Sequence, residues 1–259
     1  MLGFVITVGM SHGSLDWLLA RQWGLRSNGL ASCYFLLGYV TIVLVSLGLW
    51  WLVPSVALGV FLLMSMIHFG QDWQAEMTYL PRFVIGVATV SVPAIVFQQD
   101  VESLFLLLVP HTQALIAARL LSVVGLGALA WTGSIALQRL KHSPSLCLEI
   151  LTLLLSGLLL PPLIYFSLYF CMLHTTKHWS RLQVLGVYKQ KKEALWSAIW
   201  PTALCLLAGV WVCYESSAWS FSNAFIRTVF IGLAALTVPH WLLLEVYPAL
   251  WRKQSRGYG

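Results

Sequence analysis

The 259-residue chain is 59% hydrophobic and only 9% charged, with a mean hydropathy of +0.82. A soluble domain carries about 25% charged residues, so the composition excludes a water-soluble enzyme and points to an integral membrane protein. The net charge of +6 sits in short loops, a positive-inside signature, and gives no reason to expect a nucleic-acid partner.

Apolar runs of ~20 residues, in place of ~10-residue alternating strands, predict an all-α fold. The expected architecture is a polytopic transmembrane helix bundle of about 8–9 spans in a single domain, residues 1–259. In chain order the spans are expected near 1–20, 29–52, 55–76, 81–98, 113–137, 145–160, 162–180, 194–214 and 223–247. The first has no basic region ahead of it and contains His12 and Asp16, so it reads as a retained span and not a signal peptide. Residues 99–112 (DVESLFLLLVPHTQ) are too short and too polar at their ends to cross, and suit the interface. As one helix, 145–180 would be ~54 Å long against a ~30 Å hydrocarbon core. Pro161-Pro162 in its middle favours two short spans with a reversal between them, one kinked helix being the alternative.

Loop charges discriminate. With the N-terminus outside, the inner segments hold Arg21, Arg26, Arg82, Arg139, Lys141, Arg181, Lys189, Lys191, Lys192, Arg252, Lys253 and Arg256. The outer ones hold Asp100, Glu102 and Glu215. That asymmetry survives only if 145–180 crosses twice, leaving the C-terminus cytoplasmic. A multi-pass protein of the cell (inner or plasma) membrane is the expectation. The five cysteines, Cys33, Cys147, Cys171, Cys205 and Cys213, lie in apolar runs without a CxxC pair and read as small core residues.

Chemistry is carried by polar residues inside these runs. LIYFSLYFCMLHTTKHW (163–179) holds His174 and His178 four apart, which on a helix puts two imidazoles on one face as a ready metal chelate. His12-Gly13-Ser14-Leu15-Asp16-Trp17 and His68-Phe69-Gly70-Gln71-Asp72-Trp73 repeat the pattern with Asp as the fourth-on partner, and Pro239-His240-Trp241 is followed by Glu245. A carboxylate one turn from an imidazole is placed to fix the tautomer of a metal-bound histidine. Gly13 and Gly70 allow close helix packing or approach of a ligand. A lone buried histidine is usually a hydrogen-bonded core residue, and tryptophan near a span end an interfacial anchor. Five intramembrane histidines with two carboxylates favour function. His111 and His142 lie in or near loops and are set aside; Arg119 and Arg227 are expected to snorkel. Four neutral imidazoles suit iron, zinc or copper; mononuclear iron with open positions for oxygen is the best chemical match, and zinc is second.

GMSHGSLDW (9–17), IHFGQDW (67–73), YFCMLHTTKHW (169–179) and VPHWLLLE (238–245) resemble, in order and spacing over essentially the whole chain, the Brp/Blh family of bacterial and archaeal membrane β-carotene 15,15′-dioxygenases. The resemblance implies cleavage of the central double bond of β-carotene by O₂ to two all-trans-retinal molecules, with a functional link to a retinal-binding rhodopsin. It implies Fe(II) held by His12, His68, His174 and His178. Asp16, Asp72 and His240 are expected to support that site from outside the ligand set. Trp17, Phe69, Trp73 and Trp179 border the histidines as candidate walls of a substrate tunnel, among 13 Trp, nine Tyr and twelve Phe. A His/Asp proton or metal-ion transporter, or a membrane protein that binds retinal or carotenoid without turnover, are the alternatives; turnover discriminates among them. The shared-site reading and the loop charges both require a helix break at Pro161-Pro162 and a histidine cluster in the cytoplasmic half of the bundle.

Overall fold

The computed structural model describes residues 15–188 and 221–248, with scattered positions between 192 and 214. Most of the expected span 1–20, about half of 194–214, and the basic segment 252–256 lie outside the described residues, as do His12 and Gly13. Among the described residues the secondary structure is helical, without strands. In order the helices are α1 (Asp16–Gln22), α2 (Gly29–Leu52), α3 (Pro54–Gly70), α4 (Tyr79–Ser91), α5 (Pro93–Val96), α6 (Gln98–Leu106), α7 (His111–Arg139), α8 (Pro144–Leu159), α9 (Pro162–Leu168), α10 (Thr175–Val184) and α11 (Phe221–Trp241). A 3₁₀ turn, Gln71–Trp73, extends α3, and π-helical segments occupy Tyr169–His174 and Leu242–Val246.

Proline sets the boundaries. Pro54, Pro93, Pro144 and Pro162 all stand in the first turn of their helices, where the missing N–H has no intrahelical partner to lose. The break expected at Pro161-Pro162 is present: α8 ends at Leu159, and Leu160 (φ −106°, ψ 140°) and Pro161 (φ −52°, ψ 144°) are extended before α9 begins.

Five helical stretches are long and apolar enough to cross a membrane: Gly29–Leu52, Pro54–Trp73, Tyr79–Val96, His111–Arg139 and Ser222–Val246. The about 8–9 spans expected exceed this for physical reasons. The 16 residues of α8 rise only ~24 Å, the stretch 162–184 is interrupted by its π segment, and most of the expected span 1–20 with about half of 194–214 falls outside the described residues.

Residues 53–174 form one compact unit; residues up to 52, with those from 175 onward, form another. In the first unit, α4 packs on α3 and α7. The buried positions of α7, Ala114, Ala118, Leu121, Gly125, Ala128, Thr132 and Ile135, alternate at spacings of four and three, and with Ala136 form a stripe of mostly small residues that lets helices approach closely. Its other faces expose Leu120, Val123, Leu126 and Trp131, apolar surface that suits lipid. Gly70 and Gly86 lock α3 against α4. A methyl on Gly86 would run into the Met66 carbonyl and lie 2.7 Å from the Gly70 nitrogen, and one on Gly70 would sit 2.8 Å from the Arg82 carbonyl oxygen. The close helix contact foreseen for Gly70 is present.

In the second unit, α2 packs on α11 and buries only Trp50. Leu15, Leu18, Leu19, Leu182, Val187, Leu243 and Leu244 form the core. Two glycine caps supply its corners. Gly24 (φ 75°) ends α1, with the Leu25 N–H donating to the Ala20 carbonyl; Gly186 (φ 72°) ends α10, with Val187 donating to Leu182. Both are Schellman-type closures, and the residues so paired pack within that core.

Replacing Gly86 by Ala forces backbone apart and is expected to destabilise the protein by about 1–3 kcal/mol. Gly127, with nothing within 4 Å of its would-be Cβ, tolerates Ala or gains up to ~1 kcal/mol. Thermal unfolding in detergent reads both; equal effects would contradict the packing described.

Candidate functional site

In the first unit the site grows from the end of α3. The helix delivers His68, and the 3₁₀ turn that follows carries Asp72. Tightening the chain there takes Asp72 out of the regular four-residue register, and its carboxylate is engaged from another element. His174 Nδ1 lies 3.0 and 2.9 Å from the two Asp72 oxygens, and the Tyr169 hydroxyl donates to Oδ2 at 2.6 Å. His174 and Asp72 side chains are 2% and 6% exposed. The π segment carrying Tyr169 and His174 changes the side-chain register within the helix; such insertions recur at functional sites. The His68 and His174 ring centroids are 4.9 Å apart at 73°. Phe170 stacks on the His174 ring (5.4 Å, 18°) and Phe69 meets it edge-on at 5.1 Å. The Tyr165 hydroxyl donates to the Thr89 carbonyl at 3.0 Å, tying α9 to α4.

A second arrangement occupies the other unit. Asp16, in the first turn of α1, accepts from His240 Nδ1 at 2.7 Å through Oδ1, and from the Tyr39 hydroxyl at 2.9 Å through Oδ2. His240 and Asp16 side chains are 2% and 4% exposed. The His178 ring lies 5.1 Å from that of His240, at 65°. Pro239 sits inside α11 and a π segment follows it, so the helix departs from regular geometry on both sides of His240. Arg181 pairs with Glu245 at 3.0 Å. Alongside, an apolar groove of about 340 Å³ is lined by residues of α2 and of the 239–247 stretch, Phe35, Tyr39, Pro239 and Leu243 among them.

In each arrangement a neutral imidazole that gives its Nδ1 proton to a carboxylate keeps the lone pair on Nε2, the form a metal requires. Each aspartate meets an imidazole, and Asp72 takes His174 and not the histidine of its own motif. Asp16 takes His240. The structure brings together His68 with His174, and His178 with His240; His174 belongs to the first unit and His178 to the second. Among the described residues no group of three or more His, Cys, Asp or Glu side chains assembles as a metal-ion site. Of the candidate tunnel residues, Trp73 is fully buried and Phe69 borders His174. The Trp17 ring is covered by the Arg26 guanidinium at 3.1 Å, and the Trp179 carbonyl accepts from Tyr188. Burial, and then the neighbouring charge of Arg21, lowers the Arg26 guanidinium pKa from its ordinary value. The residues that sequence reasoning missed are Tyr39 and Tyr169. Their signal was a hydroxyl within an apolar run.

A family model described as beta-carotene 15,15′-dioxygenase matches residues 4–247. A protein of that name from uncultured marine bacterium 66A03 is 31% identical over 260 residues, covering 94% of this chain and 91% of the relative. No solved structure matches.

Hydrogen bonds to a charged partner contribute about 1.5–3 kcal/mol, enough to bias the His174 tautomer toward Nδ1–H by at least about tenfold. ¹⁵N NMR of metal-free, histidine-labelled protein is expected to show that tautomer for His174, and a mixture in Asp72→Asn. An unchanged ring spectrum in the variant would contradict the assignment.

Proposed function

The chain belongs to the β-carotene 15,15′-dioxygenase family, and from that premise we propose that it is a membrane enzyme which splits the central double bond of β-carotene with O₂. Both oxygen atoms of one O₂ end in the products, one on each former alkene carbon. Two retinal molecules form and no external reductant is consumed. The observation that carries this reading is the match of chain to family over residues 4–247. The buried Asp72–His174 and Asp16–His240 bonds add chemistry that suits it.

Fe(II) is the cofactor of this reading, held by His12, His68, His174 and His178, the ligand set that the sequence resemblance supplies. The donor types fit: His68, His174 and His178 are buried imidazoles, and the His174 tautomer is set by a carboxylate. Bound iron supplies the means to bind and activate O₂. The protein's own part is orientation and dryness. Asp72 and Tyr169 hold the His174 ring still, and Phe69 and Phe170 wall it with apolar surface. Trp17, Phe69, Trp73 and Trp179 are proposed to line the path of the polyene. The groove beside Tyr39 offers an apolar entry for a substrate dissolved in lipid.

The proposal includes the topology. About 8–9 spans, with the N-terminus outside and the C-terminus cytoplasmic, in the cell membrane, suit the loop charges and a lipid-borne substrate. Retinal as product makes a rhodopsin the natural consumer.

Expression in cells that accumulate β-carotene is expected to bleach their colour and yield retinal, while His174→Ala and His178→Ala abolish both. Carotene retained at full colour with well-folded wild-type protein in the membrane would reject the enzyme reading and favour binding without turnover.

A further inference from the structure

We infer that His240 is itself a metal ligand, equivalent in role to His174, and that Asp16 and Tyr39 are the positioning residues that hold it. The inference rests on the iron-enzyme reading, in which His240 was only a supporting residue.

His240 and His174 are equivalently placed. Two separate sets of residues build the same trio. In each, a carboxylate is shared between an imidazole Nδ1 and a tyrosine hydroxyl: Asp72 with His174 and Tyr169, Asp16 with His240 and Tyr39. A second histidine ring lies edge-on to the first in each, at 4.9 and 5.1 Å between centroids. Each trio also adjoins a π segment, one ending on His174 and the other beginning two residues after His240. Both aspartates stand four residues after a motif histidine, His12 or His68.

The ring spacing has a chemical meaning. With metal–nitrogen bonds of roughly 2.1 Å and a ring radius of about 1.1 Å, two imidazoles at ~90–110° around one ion have centroids about 4.5–5.2 Å apart. Both observed spacings fall in that interval. Burying a carboxylate is costly, and a histidine serving only as packing has no need of one. A ring that must present Nε2 to a metal does need its Nδ1 proton fixed. Tyr39 completes the arrangement by occupying the second oxygen, so the carboxylate cannot rotate without losing a bond.

The test uses purified full-length protein with Fe(II), reading iron per chain by mass spectrometry and the ferrous–nitric oxide complex by electron paramagnetic resonance. His240→Gln is expected to weaken iron binding about 100-fold or more. Tyr39→Phe is expected to keep iron but alter the resonance spectrum, with affinity reduced by less than the ~10–100-fold typical of losing a direct partner of a ligand. Wild-type affinity and spectrum in His240→Gln would overturn the inference while leaving the iron reading intact. If His240→Gln does not fold, Tyr39→Phe decides, and an unchanged spectrum and affinity overturns it. An active wild-type enzyme without iron would overturn both.

Discussion

The buried carboxylate–imidazole bond is the constraint on which the rest depends. Asp72 and Asp16 both lie at about a twentieth of full side-chain exposure, where an unpaired carboxylate costs several kcal/mol. Each is therefore tied to the partners that satisfy it, an imidazole and a phenol from other segments. In the first unit this joins the end of α3 to the Tyr169–His174 segment; in the second it joins α1 to α2 and α11. The polar bonds thus both close the fold around the histidines and choose their tautomers.

Backbone features make room for those bonds. Gly70 and Gly86 bring α3 and α4 to backbone contact within two residues of His68. Prolines at helix starts set where α3, α5, α8 and α9 begin. The glycine caps at Gly24 and Gly186 turn Leu25 and Val187 back onto the core that includes Leu182 and Leu243. The π segments lie where histidines must face inward. Regular helix would place those rings by the 3.6-residue period alone, and the inserted residue changes that.

Much of this could be read from the chain before any coordinates. Runs of apolar residues located α2, α3, α4, α7 and α8, because length and hydropathy dominate helix formation in lipid. The double proline located the break after α8, since proline and its predecessor both reject helical geometry. The motif histidines and aspartates were found because charged and titratable groups are rare in such runs. What was not legible was which partner each aspartate takes. A four-residue spacing implies a shared face only on regular helix, and Asp72 lies in a 3₁₀ turn. Tyr39 and Tyr169 carry the signal of a hydroxyl in an apolar run, but that does not single them out among nine tyrosines, because a hydroxyl's partner is a fact of tertiary packing. Span count was also beyond reach, since a 16-residue helix such as α8 sits below the length at which crossing is settled by arithmetic.

The fate of oxygen distinguishes central cleavage by a dioxygenase from other outcomes most directly. Purified enzyme supplied with β-carotene under ¹⁸O₂, with the aldehydes trapped at once by reduction to retinol so that exchange with water is prevented, is expected to give two labelled C₂₀ alcohols per carotene, each with one ¹⁸O. Unequal cleavage fragments, or one of the two halves carrying oxygen from water, would contradict central cleavage by a dioxygenase.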